Sequence, residues 1–136
     1  MQINNSTSFK IDKKSFSQVA KKVLSGENRK TETVSLAFVS KEEIGKLNSK
    51  FRKKNKPTDV LSFSLKEAEY LGEIVICPEV VAKNAKKHGI SEKQEIIKVF
   101  IHGILHLCGY DHEKSDKKAL QMEKRQEKYL MEYING

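Results

Sequence analysis

The strongest constraint on the fold is a stretch between Glu92 and Cys108 whose apolar residues recur with helical spacing. Seven large apolar residues cover most of the circumference of this predicted helix: Ile96, Ile97, Phe100, Ile101, Ile104, Leu105 and Leu107. A helix that is apolar nearly all round must be enclosed by other elements, so we predict a core helix. Its one narrow polar stripe is expected to open away from the core and consists of Glu95, Lys98, His102 and His106.

The rest of the chain supplies the elements that could enclose this helix. Short, largely buried strands are predicted at 34–39, 60–63 and 73–76, with a weaker candidate at 2–5. Helices are predicted at about 13–25, 41–51, 79–88 and 116–133, and capping residues Ser40 and Ser91 and a first-turn Pro78 mark three helix starts. We therefore expect an α/β (α+β) fold, a single compact domain over residues 1–136. It should contain a small mixed sheet of about four strands packed with about five helices.

Composition restricts the class of protein. Of the 136 residues 38% are hydrophobic and 32% charged, and no apolar run approaches the ~18 residues needed to cross a bilayer. The first fourteen residues lack the apolar region of a signal peptide, so the cytoplasm is the expected location. Cys77 and Cys108 have apolar neighbours and are expected to be free buried thiols. The net charge of +8 fits either a polyanionic partner or a solvated basic surface.

Three of the four histidines lie in one segment, HGILHLCGYDH at residues 102–112. His102 and His106 share one helix face, Gly109 can adopt the left-handed conformation that ends a helix, and the chain then presents His112. Neutral imidazoles suit zinc, and three protein ligands leave the fourth tetrahedral position for water. We predict one Zn²⁺ per chain bound by His102, His106 and His112. Spacing alone does not exclude nickel, copper or manganese, and Cys108 is expected to point away from the histidine face.

The same ligand spacing occurs in the metzincin proteases, which makes a zinc peptidase an alternative. Metzincins carry a glutamate general base directly after the first histidine, and here that position is Gly103. Glycine cannot accept a proton. Peptide hydrolysis therefore loses its expected base, unless Asp111 or Glu95 replaces it.

Residues 102–112 resemble the signature of the YbeY endoribonuclease, or rRNA maturation factor, family. Two further blocks agree, in order along the chain. The residues LN at 47–48, FR at 51–52 and KPTDVLSF at 56–63 resemble the family's LN…YR…PTDVLSF segment, and LGEIVIC at 71–77 resembles its Gly-Asp-Ile strand. The chain departs from this pattern at Glu73, where aspartate is more usual, and at Phe51, which replaces a common tyrosine. Because of its extra methylene, Glu73 is not included among the candidate site residues.

The resemblance implies a zinc-dependent endoribonuclease that cleaves single-stranded RNA in rRNA maturation, including processing of the 16S rRNA 3′ end, and in ribosome quality control. It implies that Arg52 acts beside the metal, because guanidinium matches phosphate geometry bidentately. Asp111 could orient a ligand imidazole or accept a proton from water, and a turn-forming role is equally open. The expected partners are single-stranded RNA, rRNA and the small ribosomal subunit, with no membrane and no DNA. A non-enzymatic alternative is an RNA-binding assembly factor whose metal only holds the fold.

Overall fold

The computed structural model describes residues 1–52, 57–67, 69–110 and 115–136. Over these residues the chain forms four strands and five helices. In chain order they are β1 (Ile3–Asn5), α1 (Lys13–Gly26), β2 (Thr33–Phe38), α2 (Lys41–Arg52), β3 (Val60–Glu67), β4 (Tyr70–Ile76), α3 (Pro78–His88), α4 (Glu92–Leu107) and α5 (Asp116–Asn135). The predicted α/β class is confirmed, with strands and helices at the expected places. None of the described helices is both long and apolar enough to cross a membrane.

The four strands form one mixed sheet in the order β1-β2-β4-β3. The first three are parallel to one another, and β3 pairs antiparallel with β4 at the edge. Alternate residues face opposite sides of the sheet. Ile74 and Ile76 pack into the main core with α1, α4 and α5, whereas Val75 and Cys77 pack into a smaller core beneath α2. Helix α2 therefore covers one face of the sheet, and the core helix α4 covers the other.

The hairpin of β3 and β4 carries one extra residue on β3. Regular pairing runs from Val60 opposite Ile76 to Ser64 opposite Gly72 and resumes with Glu67 opposite Tyr70, so two residues of β3 stand opposite one of β4. This arrangement is a β-bulge. Gly72 permits it, because its φ is +154° and an added Cβ would lie 2.1 Å from the carbonyl oxygen of Phe63. Both strands extend further into this hairpin than predicted. The prediction stopped short because the outer residues lack an apolar pattern.

Helix α4 is the buried centre that the sequence predicts. Ile97, Phe100, Ile101, Ile104 and Leu105 are almost fully buried. The Ser91 hydroxyl accepts a hydrogen bond from the backbone N–H of Gln94 at 3.1 Å, which caps the start of the helix as expected. At the other end Gly109 has a φ of +105°, which confirms the predicted helix-ending glycine.

The expectation that the polar stripe of α4 opens away from the core is wrong at Glu95, whose residue is only 1% exposed. The last residue of α3, His88, covers it and places Nδ1 2.8 Å from Glu95 Oε1. Lys98 Nζ lies 3.5 Å from the same oxygen. The carboxylate is thus buried against partners, one of which comes from another helix.

Candidate metal centre

His102 and His106 lie on one face of α4, in its final turns. A separation of four residues places their side chains one above the other, about 6 Å apart along the helix axis. Both are half-buried, between the fully buried core side of α4 and its surface. The helix therefore carries both imidazoles on one face, and their role as metal ligands stays a prediction.

Gln126 of α5 orients the first of these imidazoles. His102 Nδ1 lies 2.8 Å from Gln126 Oε1, and because an amide oxygen only accepts, Nδ1 carries the proton and donates it. This tautomer leaves Nε2 as the nitrogen whose lone pair suits a metal. The sequence analysis missed Gln126. The signal available was its position on α5, four residues after the buried Met122 and four before the buried Leu130.

The imidazole nitrogens of His102 and His106 are ligands of a type that binds metal ions. The described residues include no group of three or more histidine, cysteine, aspartate or glutamate side chains arranged to hold one. Asp111 and the predicted third ligand, His112, lie outside the described residues. The structure describes a pair of imidazoles. One of them, His102, has a ring nitrogen hydrogen-bonded to Gln126, and metal-bound histidines usually have such a hydrogen bond on the nitrogen that does not bind the metal.

A buried carboxylate anchors the chain where it leaves the histidine helix. The Tyr110 hydroxyl donates to Glu27 Oε1 at 2.8 Å. The other oxygen of Glu27 accepts from Arg125 Nη2 at 2.5 Å and from the Tyr129 hydroxyl. Burial acts to raise the pKa of Glu27, but hydrogen bonds from Tyr129, Arg125 and Tyr110 outweigh it and lower the pKa. Tyr110, two residues before His112, is therefore bound to Glu27 at the end of α1, and Glu27 in turn binds Arg125 and Tyr129 of α5. Sequence reasoning missed this network.

Cys108 follows the last residue of α4. It is half-buried at the end of α4 and packs against the main core. Burial raises the pKa of its thiol to about 11. Both cysteines are free, as predicted, but only Cys77 is buried as expected, since Cys108 is half-buried.

Arg52 is the last residue of α2 and is exposed. The preceding ring, Phe51, contacts Phe63 of β3, with the two centroids 5.1 Å apart. The neighbouring β3 residue, Ser62, donates from Oγ to the Gly103 carbonyl of α4 at 3.4 Å. Consecutive strand residues point to opposite faces, so the end of α2 and the histidine region of α4 approach the same edge strand from its two sides. The catalytic role of Arg52 stays a prediction.

Glu73, the departure from the family pattern, lies opposite Phe63 in the β3–β4 pairing. Its neighbour Ile74 faces α4, close to Gly103, so Glu73 faces the α2 side of the sheet.

The position that is a glutamate in metzincins faces the sheet in this protein. An added Cβ at Gly103 would lie 3.0 Å from Ile74 Cγ2 and 3.2 Å from Ser62 Oγ, so both neighbours would have to shift to admit a side chain. The proposed substitute Glu95 precedes His102 by seven residues, or about 10 Å along the helix axis. It is also engaged with His88 and Lys98. Neither position offers a general base beside the histidines.

The sequence model of the family described as Endoribonuclease YbeY matches residues 2–134. A relative named Endoribonuclease YbeY from Thermotoga neapolitana is 46% identical over 134 residues, which cover 98% of this chain and 83% of the relative. One with the same name from Thermotoga petrophila is 48% identical over 99 residues, 73% of this chain but only 66% of the relative.

A solution structure of a protein from Thermotoga maritima is also similar, with a TM-score of 0.72 and 36% identity, covering 98% of this chain and 89% of that one. The family match and the shared fold extend over nearly the whole chain. The chain belongs to the YbeY endoribonuclease family.

Proposed function

We propose that this protein is an endoribonuclease, a hydrolase that cleaves RNA in rRNA maturation. The observation that carries the proposal is the family match over residues 2–134. The net charge of +8 suits a polyanionic substrate. Gly103 argues against the peptidase alternative, because it supplies no carboxylate at the position of the peptidase base and it packs tightly against the sheet.

The proposal includes a metal ion, zinc, held by His102, His106 and His112. Two imidazoles on one face of α4 and the orienting amide of Gln126 support it. Zinc in such a site supplies Lewis acidity, polarising a phosphoryl oxygen and lowering the pKa of water. Zinc is chosen over other divalent metals for its preference for nitrogen ligands in a three-histidine set.

The chain's own residues would orient the metal ligands and bind the RNA phosphate. Gln126 fixes the tautomer of His102, and the network around Glu27 anchors the segment that leads to His112. Arg52 would grip a phosphate and stabilise the negative charge that develops on its oxygens. Asp111 would orient a ligand imidazole or accept a proton. The proposed substrate is single-stranded RNA, in particular rRNA with the small ribosomal subunit, and the proposed location is the cytoplasm, with an additional role in ribosome quality control.

One experiment separates the three candidate functions. Metal-reconstituted protein is incubated in parallel with labelled single-stranded RNA, duplex RNA and casein. We expect cleavage of the single-stranded RNA alone, lost in a His102→Ala, His106→Ala double variant that also loses its metal by elemental analysis. Cleavage of casein alone would establish the peptidase. RNA binding without cleavage would establish the non-catalytic assembly factor.

The role of Arg52 is tested by substitution. Arg52→Ala should keep its metal and its fold, because the side chain is exposed. Its single-turnover rate on RNA should fall about a hundred- to a thousandfold, as when one preorganised donor to a transition state is removed. Arg52→Lys should recover only part of that loss, since lysine lacks the bidentate fork. Lys21→Ala, an exposed basic position on α1, is the matched control. Near wild-type turnover in Arg52→Ala would exclude the arginine from catalysis.

A further inference from the structure

Phe51 is 55% exposed, more than any other large hydrophobic residue that the structure describes. It precedes Arg52 at the end of α2 and does not belong to either hydrophobic core. Aromatic side chains contribute most when buried, so a phenylalanine left in water is an unused source of binding energy. Its position beside the candidate phosphate-binding arginine raises the question of what covers it.

Two neighbouring side chains contact the exposed ring. Phe63 of the edge strand β3 packs against it edge-to-face, at 5.1 Å between centroids and an interplanar angle of 70°. Phe63 is itself half-buried against the smaller core beneath α2. Lys50 Nζ lies 5.3 Å from the centroid of the Phe51 ring, within the range of a cation–π contact. The two phenylalanines thus form an aromatic platform that is fixed to the sheet and open to solvent.

The α2 side of this platform is positively charged, and one carboxylate, Glu73 of β4, lies opposite Phe63 on the same face of the sheet. Lys46, Lys50 and Arg52 are exposed on α2. A protein partner or a second copy of this chain would bring apolar surface into a region crowded with like charges, whereas protein interfaces exclude charged residues from their centres. An aromatic ring bordered by cations is instead the pattern that binds single-stranded nucleic acid, with bases on the ring and phosphates on the cations.

We propose that the Phe51–Phe63 platform stacks an unpaired base of the RNA substrate and places the adjoining phosphate at Arg52. This inference deepens the proposed endoribonuclease function and rests on it. Duplex RNA has no free base to offer, so the platform gives the enzyme a physical means of preferring single strands.

The test uses the metal-loaded protein and a fluorescent single-stranded 2′-O-methyl oligonucleotide, with fluorescence anisotropy as the readout and a gel to show that the probe stays intact. A second probe of the same length has abasic sites and therefore keeps its phosphates but lacks stacking partners. Phe51→Ala should weaken binding of the complete probe about five- to 150-fold, the loss expected for one base–aromatic stack. Binding of the abasic probe should change less than about twofold, because its phosphate contacts remain.

Two variants serve as controls. Phe51→Tyr keeps the ring and should bind the complete probe like the wild type. Phe9→Ala removes another exposed phenylalanine, at 38% exposure, from a cleft beside Ile96 near the start of α4, and should leave binding unchanged. Three results for Phe51→Ala would contradict base stacking on the platform. These are an equal loss of binding on both probes, no loss on either probe, and a changed oligomeric state. If the wild type cleaves RNA while Phe51→Ala binds normally, only this inference fails. If the wild type neither binds nor cleaves RNA, the proposed function fails with it.

Discussion

Removing the Gln126 side chain should weaken metal binding without unfolding the protein. In Gln126→Ala the amide oxygen that accepts from His102 Nδ1 at 2.8 Å is lost. Nδ1 then loses this proton acceptor, so the tautomer with the proton on Nε2 becomes more populated. Only part of the population presents the Nε2 lone pair, so the metal must reorganise the ligand that it binds.

The magnitudes of the two effects differ enough to be measured separately. Loss of an outer-shell partner typically costs ten- to a hundredfold in metal affinity, or about 1.4–2.7 kcal/mol. The stability lost with one half-buried hydrogen bond is about 0.5–1.5 kcal/mol. For a chain of 136 residues that corresponds to a fall of about 2–5 °C in the melting temperature. The apo variant should therefore be folded at 25 °C and deficient mainly in zinc affinity.

Competition with a chromophoric zinc chelator measures the affinity, and ¹⁵N chemical shifts of the histidine rings in apo protein report the tautomer. Gln126→Glu keeps an acceptor oxygen and should retain tight binding, and Gln18→Ala, at an exposed position of α1, is the matched control. The reasoning is refuted if Gln126→Ala binds zinc within about threefold of wild type while His102→Ala loses its zinc. Unchanged zinc binding in His102→Ala would instead show that His102 is not a zinc ligand.

Three further outcomes are expected. Because the pKa of Glu27 is lowered from its ordinary 4.5, its ionised form stabilises the fold above that value, and this stability is lost as the pH falls through the folded pKa. Urea unfolding should show Glu27→Gln less stable than wild type at pH 7 by about 1–3 kcal/mol, with the gap closing in acid, and a gap independent of pH would contradict this. With a thiol pKa of about 11, Cys108 in a Cys77→Ala background should react slowly with a disulfide reagent at pH 8 and faster as the pH rises, so rapid labelling at pH 8 would be inconsistent with its burial. Gly103→Glu should lose more than about 3 kcal/mol of stability and gain no casein cleavage, whereas a stable variant would show that α4 can move off the sheet.

Local signals predicted most of the fold. Serine caps, a first-turn proline and apolar periodicity located all five described helices to within about two residues, which is the usual uncertainty of helix ends. The outer part of the β3–β4 hairpin was missed because Ser64 to Glu67 and Tyr70 to Gly72 do not alternate between apolar and polar residues. Their pairing depends on the glycine and the bulge, neither of which has a clear pattern.

The site was predicted only where its residues are close in sequence. His102 and His106 could be paired because four residues is a helical repeat. Gln126 lies 24 residues from His102, and Glu27 lies 83 residues from Tyr110. Such contacts depend on how α1 and α5 pack against α4, which periodicity does not specify. The burial of Glu95 was missed for the same reason, because the side chain that covers it comes from the end of α3.

The bulge in β3 also bears on solubility. An edge strand presents unpaired backbone groups to which another chain can add, and long regular edges promote aggregation. Regular pairing of β3 stops at Ser64, and the following Leu65, 44% exposed, lies in the irregular stretch. The interruption leaves a template of only five regularly paired residues, Val60 to Ser64, too short for extended intermolecular pairing. Deleting Leu65 would restore an even ladder along the hairpin and lengthen this template. The shortened chain should then scatter light on gentle heating at temperatures at which the natural chain stays clear.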